Sequence, residues 1–283
     1  YFSYDSKFTD STNGIEFYRV VADYEKNFDE KKEELIAKLK ELAKKVFVKN
    51  NFMMSVTCDT DGYEKASKGI NEFIGKLETR EELKDSDYHF EKKNEGLMDA
   101  SQIQYVSRAG NFKDKGFEYT GAMRVLKVIM GYDYLWINVR VKGGAYGCGG
   151  GLHRSGNSYL SSYRDPNLRE TNDIFNAFPE YIRNFDADDR DMTKYVIGTM
   201  SELDVPLTPF AKGQRSLQAF LTNITSEMLQ KERDEILNVT KEDIRALAPA
   251  VQAVLDFDDI CVIGNETKLK ENKDMFINLE SLY

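Results

Sequence analysis

The chain has 283 residues, of which 41% are hydrophobic and 31% are charged, a composition typical of a soluble globular protein with room for about two domains. The net charge of −9 disfavours nucleic acid as a partner, and no run of about 18 apolar residues is present to cross a membrane. Three widely spaced cysteines, Cys58, Cys148 and Cys261, indicate a reducing compartment, and we expect a cytoplasmic protein. Because residue 1 is a tyrosine, we also expect a fragment or a processed product.

The first hundred residues carry two predicted helices with a strand between them. Each helical segment places its leucine, isoleucine, valine and phenylalanine side chains on one face, and Asn27 or Asp29 could cap the first helix. In chain order the predicted elements are a helix at 29–47, a strand at 52–57, an acidic turn at 59–61, a helix over 66–77 and a charged connector at 78–94.

The remaining residues begin with predicted strands and continue with predicted helices. This order favours an α+β fold, in which helices lie on one face of a mostly antiparallel sheet. The predicted elements are a strand at 101–107, a helix at 119–130, an apolar and well-packed segment at 135–140, a glycine-rich, strand-like edge at 143–151, a strand at 158–163, helices near 168–185, 188–203, 209–221, 225–238 and 240–255, a strand at 260–263, a turn at 265–267, and a final helix carrying Leu269, Phe276 and Leu279.

The order helix, strand, polar turn, helix occurs near both ends of the chain. Such an internal repeat favours two related domains, although common elements of this kind also match by chance. We predict the end of one domain with its connector at 1–95 and a complete domain at 96–283. An offset of 206 residues aligns Val56 with Val262, Ile70 with Phe276, and Phe73 with Leu279.

The segment 140–151 is the most informative part of the sequence. It holds six glycines in the nine positions 143–151, and Arg140 and Tyr146 lie six residues apart. A guanidinium offers a planar set of donors that keeps its charge, and a phenol offers a hydroxyl donor on a rigid ring. The pair therefore predicts a binding site for a carbonyl group or an anion. A flexible surface turn is the alternative that composition alone allows.

Other chemistries find little support in the residues. Neither a phosphate-binding loop nor a dinucleotide fingerprint is present, and the two histidines, His89 and His153, belong to no H-E-x-x-H or H-x-x-E-H motif. We therefore predict no zinc site in this chain. The acidic run 186–191 is better explained as a helix N-terminus than as a calcium loop. A Cys148 nucleophile and a ligand-facing His153 remain weaker alternatives.

A family resemblance adds to these observations. Residues 119–147, YTGAMRVLKVIMGYDYLWINVRVKGGAYG, closely resemble the C-terminal half of the presequence-protease branch of the insulinase/pitrilysin zinc metallopeptidases, and the segments SSYRDPNL, PLTP and ICVIGN are similar to it as well. In that family four similar α+β domains form two halves around a peptide chamber, and the first domain carries the H-x-x-E-H zinc motif. The resemblance implies that this chain is the end of the third domain followed by the fourth.

The same resemblance implies roles for individual residues. Arg140 and Tyr146 match the pair that the far half contributes to the active site, while Gly143 and Gly144 would let a substrate backbone approach. The implied partners are an N-terminal half that binds the zinc and a peptide substrate, so we expect the fragment alone to be inactive and free of catalytic zinc. A catalytically silent scaffold subunit is the main alternative, and a stand-alone ligand-binding module is a weaker one.

Overall fold

A computed structural model describes residues 3–80 and 90–282 of the chain. Two compact units can be distinguished. We call one the helical unit, which draws on Tyr4–His89 and Pro206–Thr225, and the other the sheet unit, which draws on Tyr1–Ser3, Phe90–Val205 and Ser226–Tyr283.

The described residues form helices and strands with the following bounds. The strands are β1 (Glu95–Asp99), β2 (Gln104–Asn111), β3 (Gly147–Leu152), β4 (Asn157–Asp165), β5 (Asp259–Asn265) and β6 (Asn278–Ser281). The α-helices are α1 (Tyr4–Asn13), α2 (Ile15–Lys26), α3 (Phe28–Val46), α4 (Thr60–Lys76), α5 (Ala122–Ile129), α6 (Arg169–Arg183), α7 (Asp189–Leu203), α8 (Pro209–Leu221), α9 (Ser226–Leu237), α10 (Lys241–Arg245), α11 (Ala248–Leu255) and α12 (Glu266–Glu271).

The helical unit consists of amphipathic helices whose apolar faces remain exposed. Leu39, Leu42 and Val46 of α3 are 55%, 54% and 56% exposed, respectively. Among the residues of this unit that the structure describes, Val48 alone is buried. The unit therefore has no hydrophobic core of its own within the described residues.

The sequence predicted the helices of this region better than its strand. The predicted helices at 29–47 and 66–77 are confirmed by α3 and α4, and the Asp59 carboxylate caps α4 by accepting a hydrogen bond from the Gly62 amide at 2.7 Å. The helices α1 and α2 were not predicted. The predicted strand at 52–57 is wrong, because these residues have no regular structure. A strand needs a hydrogen-bonded neighbour, and the described part of this unit supplies only the isolated bridge between Val48 and Glu78.

The sheet unit contains a six-stranded mixed sheet with the order β3-β4-β2-β5-β1-β6. The pairs β3/β4, β4/β2 and β2/β5 are antiparallel, whereas β1 runs parallel to both β5 and β6. The predicted α+β fold is therefore confirmed, with antiparallel pairing limited to the β3 side of the sheet. The glycine-rich strand β3 lies at one edge, as the sequence predicted.

Helices cover one face of this sheet. Val106 of β2, Leu160 of β4 and Val262 of β5 are buried in the same core as Phe175 and Phe178 of α6. On the opposite face the alternate residues of these strands stay accessible. Tyr159 and Tyr163 of β4 are 42% and 45% exposed. This accessible side of the sheet is called the open face below.

The helix α5 continues directly into a π-helix, Met130–Lys142. The predicted helix at 119–130 is thus confirmed in type. The segment 135–140 is only partly packed, since Leu135 and Val139 are buried while Trp136 is 41% exposed. The prediction of a well-packed segment is correct for one side of this helix and wrong for the other.

Predictions near the C-terminus are wrong in part. The predicted helix at 240–255 is divided into α10 and α11, and Pro249, which has no N–H to donate, lies in the first turn of α11. The final helix ends at Glu271, and Leu279 lies in β6 instead. Leu279 therefore differs in structure from Phe73, its aligned partner in α4. The division into domains at 1–95 and 96–283 stays a prediction.

Other elements follow the sequence more closely. The strand predicted at 101–107 begins later, at Gln104, and β1 was not predicted. The acidic run 186–191 starts a helix as expected, because Asp188 caps α7 by accepting a hydrogen bond from the Asp191 amide. His89 and most of the predicted connector lie outside the described residues.

Candidate active site at the glycine-rich edge

Arg140 and Tyr146 come together where the chain enters the edge strand β3. The guanidinium carbon of Arg140 lies 6.0 Å from the centroid of the Tyr146 ring and 3.9 Å from that of Trp136. Tyr146 is 66% exposed, so its hydroxyl is accessible to a ligand. The structure thus brings together the two residues that the sequence singled out, with Tyr146 exposed and Arg140 half-buried.

The turn between the π-helix and β3 explains Gly143 and Gly144. The amide of Gly144 donates to the Arg140 carbonyl at 2.9 Å, and Gly144 has a φ of +82°, which disfavours any residue with a side chain. A Cβ atom on Gly143 would lie 2.5 Å from the carbonyl oxygen of Val139. Both glycines are therefore required by the path of the chain itself. Their role in admitting a substrate backbone stays a prediction.

Further along β3, part of the main chain is not covered by side chains, and we call it bare. A Cβ atom built on Gly149 would have no neighbour within 4 Å, and one on Gly147 would meet only the Tyr163 side chain at ordinary contact distance. Gly150, in contrast, faces the core, where a Cβ atom would lie 2.8 Å from Met130. The open face of β3 is therefore free of side chains at Gly147 and Gly149.

Three tyrosines line the open face beside this bare strand. The rings of Tyr146 and Tyr163 are 6.0 Å apart, and those of Tyr163 and Tyr105 are 5.3 Å apart in an edge-to-face arrangement. Aromatic pairs at such distances restrict one another while keeping their hydroxyl groups available. We call Tyr105, Tyr146 and Tyr163 the tyrosine patch.

A bulge in β4 adds a residue to this site that the sequence analysis missed. The register between β4 and β2 shifts so that Tyr163 and Arg164 together lie opposite Tyr105. Both consecutive residues are exposed, which breaks the in-and-out alternation of the strand. The Arg164 guanidinium carbon lies 5.9 Å from the Tyr146 ring and 5.5 Å from the Tyr163 ring. An arginine at a position that alternation assigns to the core was the only signal in the sequence.

Hydrogen bonds fix Arg164 in this place. The Tyr146 amide donates to the Arg164 carbonyl at 3.2 Å, so the bulge also holds the start of β3. A side-chain hydrogen bond with Tyr105 raises the pKa of the Arg164 guanidinium above its ordinary value. Among the residues that the structure describes, neither Arg140 nor Arg164 is paired with a carboxylate.

Cys148 and His153, the two weaker candidates, lie in environments that differ from that of Arg140 and Tyr146. Burial raises the pKa of the Cys148 thiol, which disfavours the thiolate that a nucleophile requires. The His153 ring stacks on Tyr159, with 5.9 Å between the centroids, and burial lowers its pKa. Over residues 3–80 and 90–282, no group of three histidine, cysteine or acidic side chains is arranged to hold a metal ion.

Comparison with known proteins decides the family. Residues 94–266 match the family described as the PreP C-terminal domain. The chain belongs to this family. It is 40% identical over 282 residues to Protein HypA of Clostridium perfringens (strain 13 / Type A), which covers 99% of the chain and 28% of that protein. It is also 32% identical over 252 residues to presequence protease 1, chloroplastic/mitochondrial, of Arabidopsis thaliana, with 88% of the chain and 23% of that protein covered.

A solved structure supports the fold. The crystal structure of pitrilysin matches with a TM-score of 0.50 at 11% identity, covering 72% of this chain and 23% of that chain. The resemblance to the presequence proteases is confirmed by the family match over residues 94–266 and by the similarity to presequence protease 1. The chain spans only about a quarter of its curated relatives. No described helix is both long and apolar enough to cross a membrane.

Proposed function

We propose that this chain is part of the C-terminal, non-metal half of a zinc-dependent metalloendopeptidase that degrades short unstructured peptides. The observation that carries the proposal is the pairing of Arg140 with Tyr146 on the open face, beside the bare main chain of β3. An exposed tyrosine and a half-buried arginine next to an unobstructed strand edge suit an extended peptide, whose backbone carbonyls need such donors.

The residues of this site do not fit a zinc ion. A guanidinium has no lone pair to offer a metal, and the described residues contain no cluster of three ligating side chains. The proposal therefore assigns the zinc to the N-terminal half of the same polypeptide, which is the partner of this chain.

The two side chains have separate tasks in the proposal. Peptide hydrolysis builds negative charge on the oxygen of the carbonyl that is attacked, and donors already in position stabilise that charge. The Tyr146 hydroxyl donates to this oxygen. Arg140 holds a neighbouring peptide carbonyl and contributes its positive charge. Because Arg140 is stacked on Trp136, little reorientation is needed when the substrate binds.

Mixing the two halves tests the function. The 283-residue chain and the separately expressed remainder of the polypeptide, which includes the N-terminal half, should each be inactive on a fluorogenic unstructured peptide, and the zinc-loaded mixture should hydrolyse it. A mixture that forms a complex without activity would support the alternative of a silent scaffold subunit. Activity of the chain alone would contradict the proposal.

The proposal also includes a reducing compartment such as the cytoplasm. Its support is the odd number and wide spacing of the three cysteines, Cys58, Cys148 and Cys261, which do not suit a disulfide framework. Fractionation of cells that produce the intact protein, followed by immunoblotting, checks this assignment. Recovery from an organelle fraction would contradict it.

A further inference from the structure

We infer that Arg140 and Arg164, which both lie beside Tyr146, form a carboxylate-binding site for one end or one acidic side chain of a bound peptide. This inference rests on the proposed peptide site and adds a preference in its ligand. It assigns a binding role to Arg164, which lies in β4, whereas Tyr146 directly precedes β3.

The charges around Tyr146 are the first argument. Two guanidinium carbons lie 6.0 and 5.9 Å from the centre of one exposed ring. The chain has 48 acidic and 39 basic side chains, yet neither arginine has a carboxylate partner among the described residues. Both positive charges therefore lie beside the same ring, and an anion bound there is attracted by each of them. A peptide carbonyl alone would require only one donor.

The backbone of Arg164 is the second argument. Its φ of +49° lies in the left-handed region, which is unfavourable for a residue with a side chain. Regular alternation along β4 would turn this side chain towards the core, and the bulge turns it to the open face instead. Strained backbone of this kind is concentrated at functional sites. The Arg164 side chain contacts the tyrosine patch, and among the described residues its charge has no carboxylate partner.

The chemistry of the two guanidinium groups selects the ligand. A guanidinium matches a carboxylate through two parallel hydrogen bonds. A peptide offers a carboxylate either at its C-terminus or on aspartate and glutamate. Both sources present the same group, and the experiment separates them.

Trp136 provides a readout confined to the site. It is the only tryptophan, it is 41% exposed, and its ring lies against Arg140. The 283-residue chain is titrated with one unstructured peptide in four forms, and Trp136 emission is recorded together with the anisotropy of a label on the peptide. The forms carry a free C-terminal carboxylate, a C-terminal amide, an amide with one internal glutamate, and an amide with glutamine in its place.

We expect a carboxylate-bearing form to bind about tenfold more tightly than its matched amide form. Arg164→Gln should abolish that preference and leave the affinity for the carboxylate-free forms unchanged. Arg164→Gly removes the same charge, and glycine adopts the left-handed backbone without strain. It should therefore give the same result as Arg164→Gln. Arg190→Gln, at an exposed arginine of α7, is the control for loss of one positive charge and should keep the preference.

The outcomes separate the inference from the proposed function. A preference for the free C-terminus or for the internal glutamate supports the inference and names the source of the carboxylate. Equal binding of all four forms overturns the inference and leaves the peptide site in place. Failure of every form to bind overturns the peptide site and the inference together. An equal loss in Arg164→Gln and Arg190→Gln would show non-specific attraction and also overturns the inference.

Discussion

The guanidinium of Arg140 rests on the ring of Trp136, with 3.9 Å between the guanidinium carbon and the ring centroid. Both residues belong to the π-helix, and the contact orients the arginine towards Tyr146. Such a contact contributes about 0.5–1 kcal/mol at an exposed site. The tryptophan therefore positions a residue that we assign to substrate binding.

Trp136→Leu should consequently lower kcat/KM of the reassembled enzyme about three- to fivefold, an effect equivalent to the energy of that contact. Trp136→Phe keeps an aromatic surface and should restore part of the loss. Ile137→Ala, at the neighbouring exposed residue, is the control and should behave as wild type. Full activity of Trp136→Leu would show that Arg140 does not depend on the stacking.

Removal of the donors themselves should have larger effects. In the reassembled enzyme, Arg140→Ala and Tyr146→Phe should each reduce kcat about 10²–10³-fold, because a donor to developing negative charge is lost. Tyr132→Phe changes a tyrosine of similar exposure on the π-helix and should leave kcat unchanged. Unchanged turnover in both site variants would remove Arg140 and Tyr146 from the mechanism.

Two glycines of the same segment should respond differently to alanine. Gly144→Ala forces a side chain into the left-handed region and should lower the free energy of unfolding by about 1–2 kcal/mol. Gly149→Ala meets no atom within 4 Å and should leave stability unchanged or raise it by about 0.5 kcal/mol. Urea denaturation followed by circular dichroism measures both. Equal losses would mean that β3 is more crowded than its surroundings indicate.

A buried carboxylate in the sheet unit predicts a stability effect. Glu232 is 4% exposed and accepts hydrogen bonds from Arg124, Arg154 and the Tyr119 hydroxyl. Glu232→Gln leaves two arginines without their counter-charge and should cost about 3 kcal/mol of unfolding free energy. Glu202→Gln, which breaks an exposed pair with Lys127, is the control and should cost less than about 1 kcal/mol.

The pH dependence of the same group has a definite sign. Burial acts to raise the pKa of Glu232, but the bonds from Arg124 and Tyr119 outweigh it and hold the pKa below the ordinary glutamate value. The stabilisation is therefore fully present above the unfolded pKa of about 4.3 and is lost as the pH falls through the lower folded value. Denaturation curves of wild type and Glu232→Gln should accordingly converge at acid pH. A difference that is constant with pH would contradict the assignment.

The sequence was most informative where a pattern has one structural solution. The apolar face of α3 identifies a helix, and the alternation in β4 identifies a strand. The segment from Arg140 to Tyr146 additionally carries two hydrogen-bond donors, a guanidinium and a phenol. The strand predicted at 52–57 failed because its apolar residues specify a strand only when a neighbour is present. Arg164 was missed, since a bulge arises from the register between two strands and its only signal in the sequence is an arginine where alternation places a core residue. Trp136 was noted as part of a packed segment, but its contact with Arg140 depends on the π-helix.

The scarcity of burial in the helical unit bears on how the chain behaves in solution. Removal of apolar surface from water is the dominant driving force of folding, and Val48 is the sole described residue of this unit that is buried. Exposed leucine and phenylalanine side chains associate with other apolar surfaces. Self-association at high concentration should therefore begin on α1–α4 and α8, and dilute samples or mild detergent would keep the protein dispersed.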